Sequence, residues 1–344
     1  MAQLQHTRSN NHNEGLRLVL PSDGDLYDGC IAFMRACGMP VERQRRRYTA
    51  DIPVVKGAVA LFQRTADITQ KVEEGSAELG VVGFDRFLEY RREGTPVVCL
   101  VEDLGFGRCD LVIAVPDGWL DVSCMSDLAD LAVEFRQQGR QLRIATKYPR
   151  VVQRFLYSHG VYYFSLVQAS GSLEAAPAAG YADLIVDLVS SGMTLRDNQL
   201  KTLDDGTILE SSACLVGNRA LIRRSERTLE MARAVLETIE GYLKARPYFR
   251  LTANVHGESA EAIGTQILLR PHLAGLQGPT VSPVFNLDQP DWYTVSLLVP
   301  RERLLEAVDH LRNSGARDIA ASQVSYLFKD ECGSFRSLLE SENA

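Results

Sequence analysis

The sequence predicts an α/β protein with mostly parallel sheets, followed by a smaller module with ferredoxin-like element order. Short buried-strand runs alternate with amphipathic helical stretches from about residue 16 to about residue 220. After Asn218 the texture changes: one long amphipathic helix over 225–245 leads into a β-α-β-β-α-β order. A chain of 344 residues, 45% hydrophobic and 24% charged, can bury a full core in two or three domains.

Leu16-Arg17-Leu18-Val19-Leu20 is a compact apolar strand closed by Pro21-Ser22-Asp23-Gly24. From Asp25 to Gly38, Leu26, Cys30, Phe33 and Met34 recur at helical spacing. Leu79–Gly83 is a second buried strand with Asp85 just past its end, and 96–101, 110–115 and Leu142–Thr146 repeat the theme. Helices are expected at 128–137 and at 149–159, the latter with Pro149 in its first turn and Val152, Phe155 and Leu156 inward. In the C-terminal part the pattern predicts strands at 248–255, 292–299 and 319–327. It also predicts helices at 260–269 and 301–314 and a turn over 278–283.

Composition excludes several function classes. A net charge of −7 argues against wholesale nucleic-acid binding, and no apolar stretch approaches membrane-spanning length. The seven cysteines are scattered without CxxC spacing, and residues 1–15 read as a polar, disordered tail without an apolar signal core. A cytoplasmic protein with reduced thiols is the expectation. The six histidines form no HxxxH pair, and no GxSxG, Walker A or GxGxxG segment is present.

The chemistry concentrates in Asp183-Leu-Ile-Val-Asp187-Leu-Val-Ser190-Ser191-Gly192-Met193-Thr194-Leu195. A buried strand that empties into hydroxyls and a glycine just before a helix can aim backbone N–H groups at an anion. Ser190, Ser191, Gly192, Met193 and Thr194 would cradle a phosphate, and Asp187 beside them suits the hydroxyls of the attached sugar. The same residues also read as an ordinary capped strand–turn–helix. A second turn, 170–177, could bring Ser172 and Glu174 to a sugar or a metal-bound phosphate, or could simply cap a helix with Ser172. Lys147 and Tyr148 stand where a strand ends and a helix begins, a location anions favour. The most basic run, 43–48, could meet a polyphosphate or be a solvated face.

Taken in order, these segments resemble the long form of the ATP phosphoribosyltransferases of histidine biosynthesis. The resemblance runs from about residue 16 to 327 and is strongest in the Ala-Asp-x-Ile-Val-Asp-Leu-Val-Ser-Ser-Gly-x-Thr-Leu run. Segments 16–26, 67–85, 104–111, 144–149, 171–177 and Ser211-Ser212-Ala213-Cys214-Leu215 share it, as do 278–283 with Gly315-Ala316. It implies a bilobal catalytic core of the periplasmic-binding-protein-like type II, with lobe I at 16–108 and 200–224 and lobe II at 109–199. A connecting helix at 225–246, a PII-like regulatory domain at 247–330 and a tail at 331–344 would follow. The implied reaction joins ATP to 5-phosphoribosyl 1-pyrophosphate with Mg²⁺, releasing pyrophosphate. The implied inhibitor is histidine, and the implied assembly a homo-oligomer, a hexamer or an active dimer.

On that resemblance Asp187, Glu174 and Asp183 would be the catalytic acids, and Ser172 with 190–194 would hold phosphoribosyl pyrophosphate. Lys147, Tyr148, Arg17, Arg64 and Asp85 would face ATP or pyrophosphate, and Thr280, Ser282 and Ala316 the inhibitor. One departure stands out. The family commonly has Ser-Lys-Gly-Arg-Leu in the first loop, and here it is Ser22-Asp23-Gly24-Asp25-Leu26. Two cations have become two anions, so Arg17, the 43–47 run or Arg64 would have to compensate. That change keeps a second reading open, a non-catalytic paralogue that binds nucleotide or amino acid.

Overall fold

The computed structural model describes residues 15–43, 47–168, 171–285 and 291–340. Most of the N-terminal tail, residues 44–46 of the basic run, residue 170 of the second turn and residues 341–344 of the C-terminal tail lie outside them. The chain forms two compact units, one of residues 1–235 with 334–344 and the other of residues 236–333.

The first unit begins with β1 (Leu16–Pro21), α1 (Asp25–Ala36), β2 (Thr49–Asp51), β3 (Ala58–Gln63), α2 (Thr65–Glu73), β4 (Leu79–Gly83), α3 (Phe84–Tyr90) and β5 (Val97–Val101). It continues through β6 (Cys109–Pro116), α4 (Met125–Gln137), β7 (Leu142–Thr146), α5 (Pro149–Ser158), β8 (Phe164–Gln168), β9 (Leu184–Val189), the short α6 (Met193–Asp197) and β10 (Leu200–Ser211). β11 (Ala213–Asn218) and α7 (Arg219–Ile222) precede the long α8 (Glu226–Ala245), and α8 contributes residues to both units.

Two sheets divide this unit into lobes. The first has the order β2-β3-β1-β4-β11-β5 and the second β10-β6-β9-β7-β8. Leaving aside the edge hairpin strand β2, both follow one scheme: three parallel strands in the order second, first, third, then a strand running the other way, then a last strand. In each case the reversed strand (β11 or β6) is the one on which the chain arrives from the other lobe. This is the type II bilobal topology, with the chain crossing twice. Carboxyl ends of β1, β3 and β4 form the rim of lobe I, and those of β7, β8 and β9 the rim of lobe II.

The second crossing comes later than the sequence suggests. β10 pairs along β6 in lobe II from Leu200 to Ser211, so 200–211 is not part of lobe I. Its alternation is broken by Asp204-Asp205-Gly206, where the pairing with β6 shifts register, and that interruption hides the strand from a period-2 reading.

Each sheet is apolar on both faces, as strands covered from both sides must be. In lobe II, Ile144, Leu184 and Val186 pack against α4 and α5 through Leu128, Val152 and Leu156. On the opposite face Ile185 packs with Leu173, Ala176 and Leu195, and these pin the 171–180 turn and α6 onto the sheet. Each such leucine, fully buried, stabilises its turn by roughly 1.5–3 kcal/mol.

The second unit contains β12 (Tyr248–His256), α9 (Ala260–Leu268), β13 (Thr280–Pro283), β14 (Trp292–Pro300), α10 (Leu304–Asn313) and β15 (Ala316–Gln323); α11 (Gly333–Leu339) follows. Its sheet has the order β13-β14-β12-β15 with every neighbour antiparallel, the ferredoxin-like arrangement. Leu251, Val255, Val295 and Val299 bury one face against Ile263, Ile267, Ala307 and Leu311. Three boundaries differ from the sequence pattern. Residues 280–283 form an edge strand where a turn is expected, α10 begins at Leu304 after a 3-10 turn over Arg301–Arg303, and β15 runs from Ala316 to Gln323 where 319–327 is expected. Edge strands, paired on one side only, carry weaker patterning.

Candidate active site

Three parallel strands deliver three turns to one rim of lobe II. β7 ends at Lys147-Tyr148, β8 leads to the turn carrying Ser172 and Glu174, and β9 ends at Ser190–Thr194. Thr146 pairs with Val186, so Lys147 and Asp187 are the next residues along adjacent parallel strands. Asp187 shares the face of β9 that carries Ile185, the face against which Leu173 and Leu195 pack. The residues flanking those anchors, Glu174 and Thr194, are thereby held on the same side as Asp187.

The 190–194 loop is open. Ser190, Ser191, Met193 and Thr194 are solvent-exposed, and Gly192 precedes α6 with φ +70°. That left-handed backbone strains any residue with a Cβ, although space itself is free, the nearest atom to such a Cβ being 3.9 Å away. The Met193 N–H reaches the Ser191 hydroxyl at a long 3.5 Å.

Burial raises the Asp187 carboxyl above the ordinary range, and the Glu174 carboxylate pushes the same way. The Leu188 N–H, donating at 2.9 Å, and the charges of Lys147 and Arg86 oppose that shift. Two carboxylates beside two cations on a half-buried rim make a site for a ligand bearing both hydroxyls and phosphates.

Other expected residues are placed away from this rim. Asp183 stands at the start of β9, about 13 Å from Asp187 along the strand. Its carboxylate accepts from the Arg143 backbone N–H (2.8 Å), Nε (3.2 Å) and Nη2 (3.0 Å). Where the sequence suggests a catalytic acid, the structure places an Asp183–Arg143 ion pair at the amino end of the central strand, away from the rim. Arg17 is likewise at the start of β1, bonded to the buried Glu78 through Nη2 (2.7 Å) and Nε (3.1 Å), and so cannot compensate for the acidic first loop. Arg64 is exposed at the carboxyl end of β3, on the lobe I rim. Ser172 caps no helix, because residues 174–180 form turns.

Asp85 and Tyr148 meet each other. The Tyr148 hydroxyl of lobe II donates to Asp85 Oδ2 of lobe I at 2.8 Å, and the Ser211 hydroxyl donates to Asp85 Oδ1 at 2.8 Å. The Asp85 N–H in turn donates to Ser211 Oγ at 3.0 Å. Tyr148 is 1% exposed and Asp85 4%. Burial pushes the phenol above its usual range and the neighbouring Asp85 charge adds to it, so the hydroxyl stays protonated as a donor. Both residues therefore join the lobes and are not open to substrate.

The α5 N-terminus, expected to receive a substrate anion, holds a protein carboxylate. Glu89 of α3 accepts from the Arg150 and Val151 N–H groups at 3.1 Å each, and Arg150 Nη1 donates back to the Glu89 carbonyl at 2.8 Å. Neither Glu89 nor Arg86, whose guanidinium lies 4.9 Å over the Tyr148 ring, stands out in the sequence. Both sit within an unremarkable helix, and their partners lie about sixty residues away.

In the second unit, Thr280 and Ser282 lie on β13 and Ala316 starts β15. These strands are opposite edges of a four-stranded sheet, about 14 Å apart. One small ligand cannot touch all three within one chain.

A family model described as ATP phosphoribosyltransferase matches residues 64–241, over half of the chain, and one described as HisG, C-terminal domain matches 245–326. An ATP phosphoribosyltransferase of Arabidopsis thaliana, described as chloroplastic, is 35% identical over 331 residues, covering 94% of this chain and 80% of the relative. The chain belongs to the ATP phosphoribosyltransferase family.

An ATP phosphoribosyltransferase of Nitrobacter hamburgensis is 33% identical and covers 92% of this chain and 95% of its own. That of a Chelativorans species is 43% identical over 64% of this chain and 95% of its own. A solved ATP phosphoribosyl transferase (HisG:HisZ) complex from Thermotoga maritima aligns at 26% identity with a TM-score of 0.49, over 65% of this chain and 96% of that one. The ATP phosphoribosyltransferase reaction joins N-1 of the ATP adenine to C-1 of 5-phosphoribosyl 1-pyrophosphate and releases pyrophosphate, the first step of histidine biosynthesis. The family works with a divalent metal ion. Among the described residues no helix is long and apolar enough to cross a membrane.

Proposed function

We propose that the lobe II rim is the phosphoribosyl pyrophosphate site of this transferase. The Ser190–Thr194 loop receives the 5-phosphate and Asp187 the ribose hydroxyls, while Lys147 offsets charge between them. The observation that supports this reading is the convergence of the β7, β8 and β9 turns on one rim, with Lys147 and Asp187 on neighbouring strands. Displacement at an anomeric carbon develops positive charge on the sugar, and the paired carboxylates of Asp187 and Glu174 suit it. Adenine N-1 is already a nucleophile, so the rim has no need of a strong base. ATP comes against lobe I, where Arg64 and Arg43 stand at the carboxyl ends of the strands; Arg43 Nη1 donates to the Ser22 carbonyl at 2.8 Å.

Magnesium is the metal in this reading. Among the described residues no cluster of three or more His, Cys, Asp or Glu is placed to hold a bare ion. Two carboxylates on a half-buried rim fit a hydrated ion instead, which keeps most of its waters. Glu174 and Asp187 would face it; when bound it neutralises the departing pyrophosphate. Histidine acting through the 247–330 region, a homo-oligomer of hexamer or dimer form and a cytoplasmic location complete the proposal. The opposed positions of Thr280 and Ala316 make them separate candidate contacts, not one pocket.

Turnover with ATP, phosphoribosyl pyrophosphate and Mg²⁺ tests the rim directly. Asp187→Asn and Thr194→Ala should each lower kcat/KM more than tenfold, and unchanged rates in both would remove the assigned cradle. Absence of any turnover in the wild-type chain, with ligand binding retained, would favour a regulatory role suggested by Asp23 and Asp25.

A further inference from the structure

A sugar whose reacting carbon carries a pyrophosphate needs positive charge on the side of the leaving group. In the first loop of lobe I, Asp23 and Asp25 flank Gly24, all three exposed. Arg17 is bound to Glu78 at the far end of β1, and Arg43 is held on the Ser22 carbonyl and over the Phe62 ring at 5.0 Å.

Arg86 is placed differently. It is the third residue of α3, just past the carboxyl end of β4, on the lobe I rim where the two lobes touch. Its guanidinium lies over the Tyr148 ring at 4.9 Å, a platform supplied by lobe II, and acts on Asp187 electrostatically. Asp85 makes only a long ion pair with it, Nε standing 3.9 Å from Asp85 Oδ2, while both Asp85 oxygens already accept hydrogen bonds from Tyr148 and Ser211. Among the described residues its one hydrogen bond runs from Nη1 to the Tyr90 hydroxyl at 3.3 Å. A half-buried guanidinium with donors to spare thus reaches from lobe I toward the rim that carries Asp187 and Lys147.

We propose that Arg86 binds the pyrophosphate group of phosphoribosyl pyrophosphate and stabilises it as it leaves. This rests on the reading of the lobe II rim as the phosphoribosyl site. The bond from C-1 to the pyrophosphate oxygen breaks, and its electron pair goes to that oxygen. The adenine N-1 lone pair forms the new bond to C-1. Arg86 neither gains nor loses a proton; its planar fork meets the two phosphoryl groups as negative charge grows on them. Tyr148 holds the guanidinium flat, and the Asp85–Tyr148 bond holds the ring.

Calorimetric titration of inorganic pyrophosphate with Mg²⁺, and of ribose 5-phosphate, into wild type, R86Q and R86K tests this, with thermal midpoints recorded for each. R86Q should weaken pyrophosphate about tenfold or more, R86K should fall between, and ribose 5-phosphate should bind all three within about twofold. kcat/KM for phosphoribosyl pyrophosphate should drop with the pyrophosphate affinity. Pyrophosphate affinity unchanged in R86Q would overturn the proposal, and so would an equal loss of both ligands, which would make Arg86 merely structural. If wild type fails to bind ribose 5-phosphate, the lobe II rim reading is what fails, since the pyrophosphate arm reports on Arg86 separately.

Discussion

Tyr148→Phe removes one oxygen atom from the seam between the lobes and nothing else of comparable size. The lost bond runs from a buried phenol to a buried carboxylate at 2.8 Å, and the ring keeps its place in the lobe II core. No cavity term enters, so the cost is that of one hydrogen bond to a charged group, about 1.5–3 kcal/mol. Asp85 keeps the Ser211 hydroxyl, which places the cost within that range and below that of a fully stranded charge. For a cooperative unit of some 150–250 residues each kcal/mol lowers Tm by roughly 2–4 °C, so a fall of about 3–12 °C is expected. Thermal unfolding followed by circular dichroism measures it, and Ser211→Ala in the same background should show strong non-additivity because both hydroxyls serve one carboxylate. A Tm within about 1 °C of wild type would mean the bond contributes nothing, and the account of how the lobes are joined would have to be abandoned.

Further outcomes follow from the same geometry. Asp187→Asn should lose activity yet gain stability at pH 7. The Asp187 carboxyl is raised in the fold, so its ionisation penalises the folded state as pH climbs from the unfolded carboxylate value through the raised one, and the amide escapes that penalty. Urea midpoints at pH 3 and pH 7 check this, since the gain should vanish at the lower pH. Asp183→Asn should behave oppositely, leaving kcat within about twofold and costing about 1–2 kcal/mol at neutral pH. The Arg143 contacts hold the Asp183 carboxyl below its usual range against the effect of burial. Its contribution is therefore present above the unfolded value and fades as pH falls through the folded one. Excising residues 247–330 should abolish inhibition by histidine while sparing turnover; inhibition that persists would place the effector on the first unit.

Local pattern determined a good deal of this protein. β4 and β7 have the bounds their apolar runs suggest, α5 starts at Pro149, and the Ser190–Thr194 turn follows a strand because hydroxyls and a glycine must interrupt an apolar run there. The 183–195 run and the segments around it carried the family, since their order along the chain is itself the signal. Partners distant in sequence decided the rest. Asp85 answers to Tyr148 and Ser211, 63 and 126 residues away, and Glu89 to the N-terminus of α5; no spacing in the chain announces either. Asp183 and Arg17 look like site residues next to apolar runs, but a strand has two ends, and only the direction in which the sheet stacks its strands shows which end faces the ligand. Hydrophobic periodicity is a property of neighbours along the chain, whereas a buried charge is settled by whatever the tertiary fold brings within hydrogen-bonding distance of it.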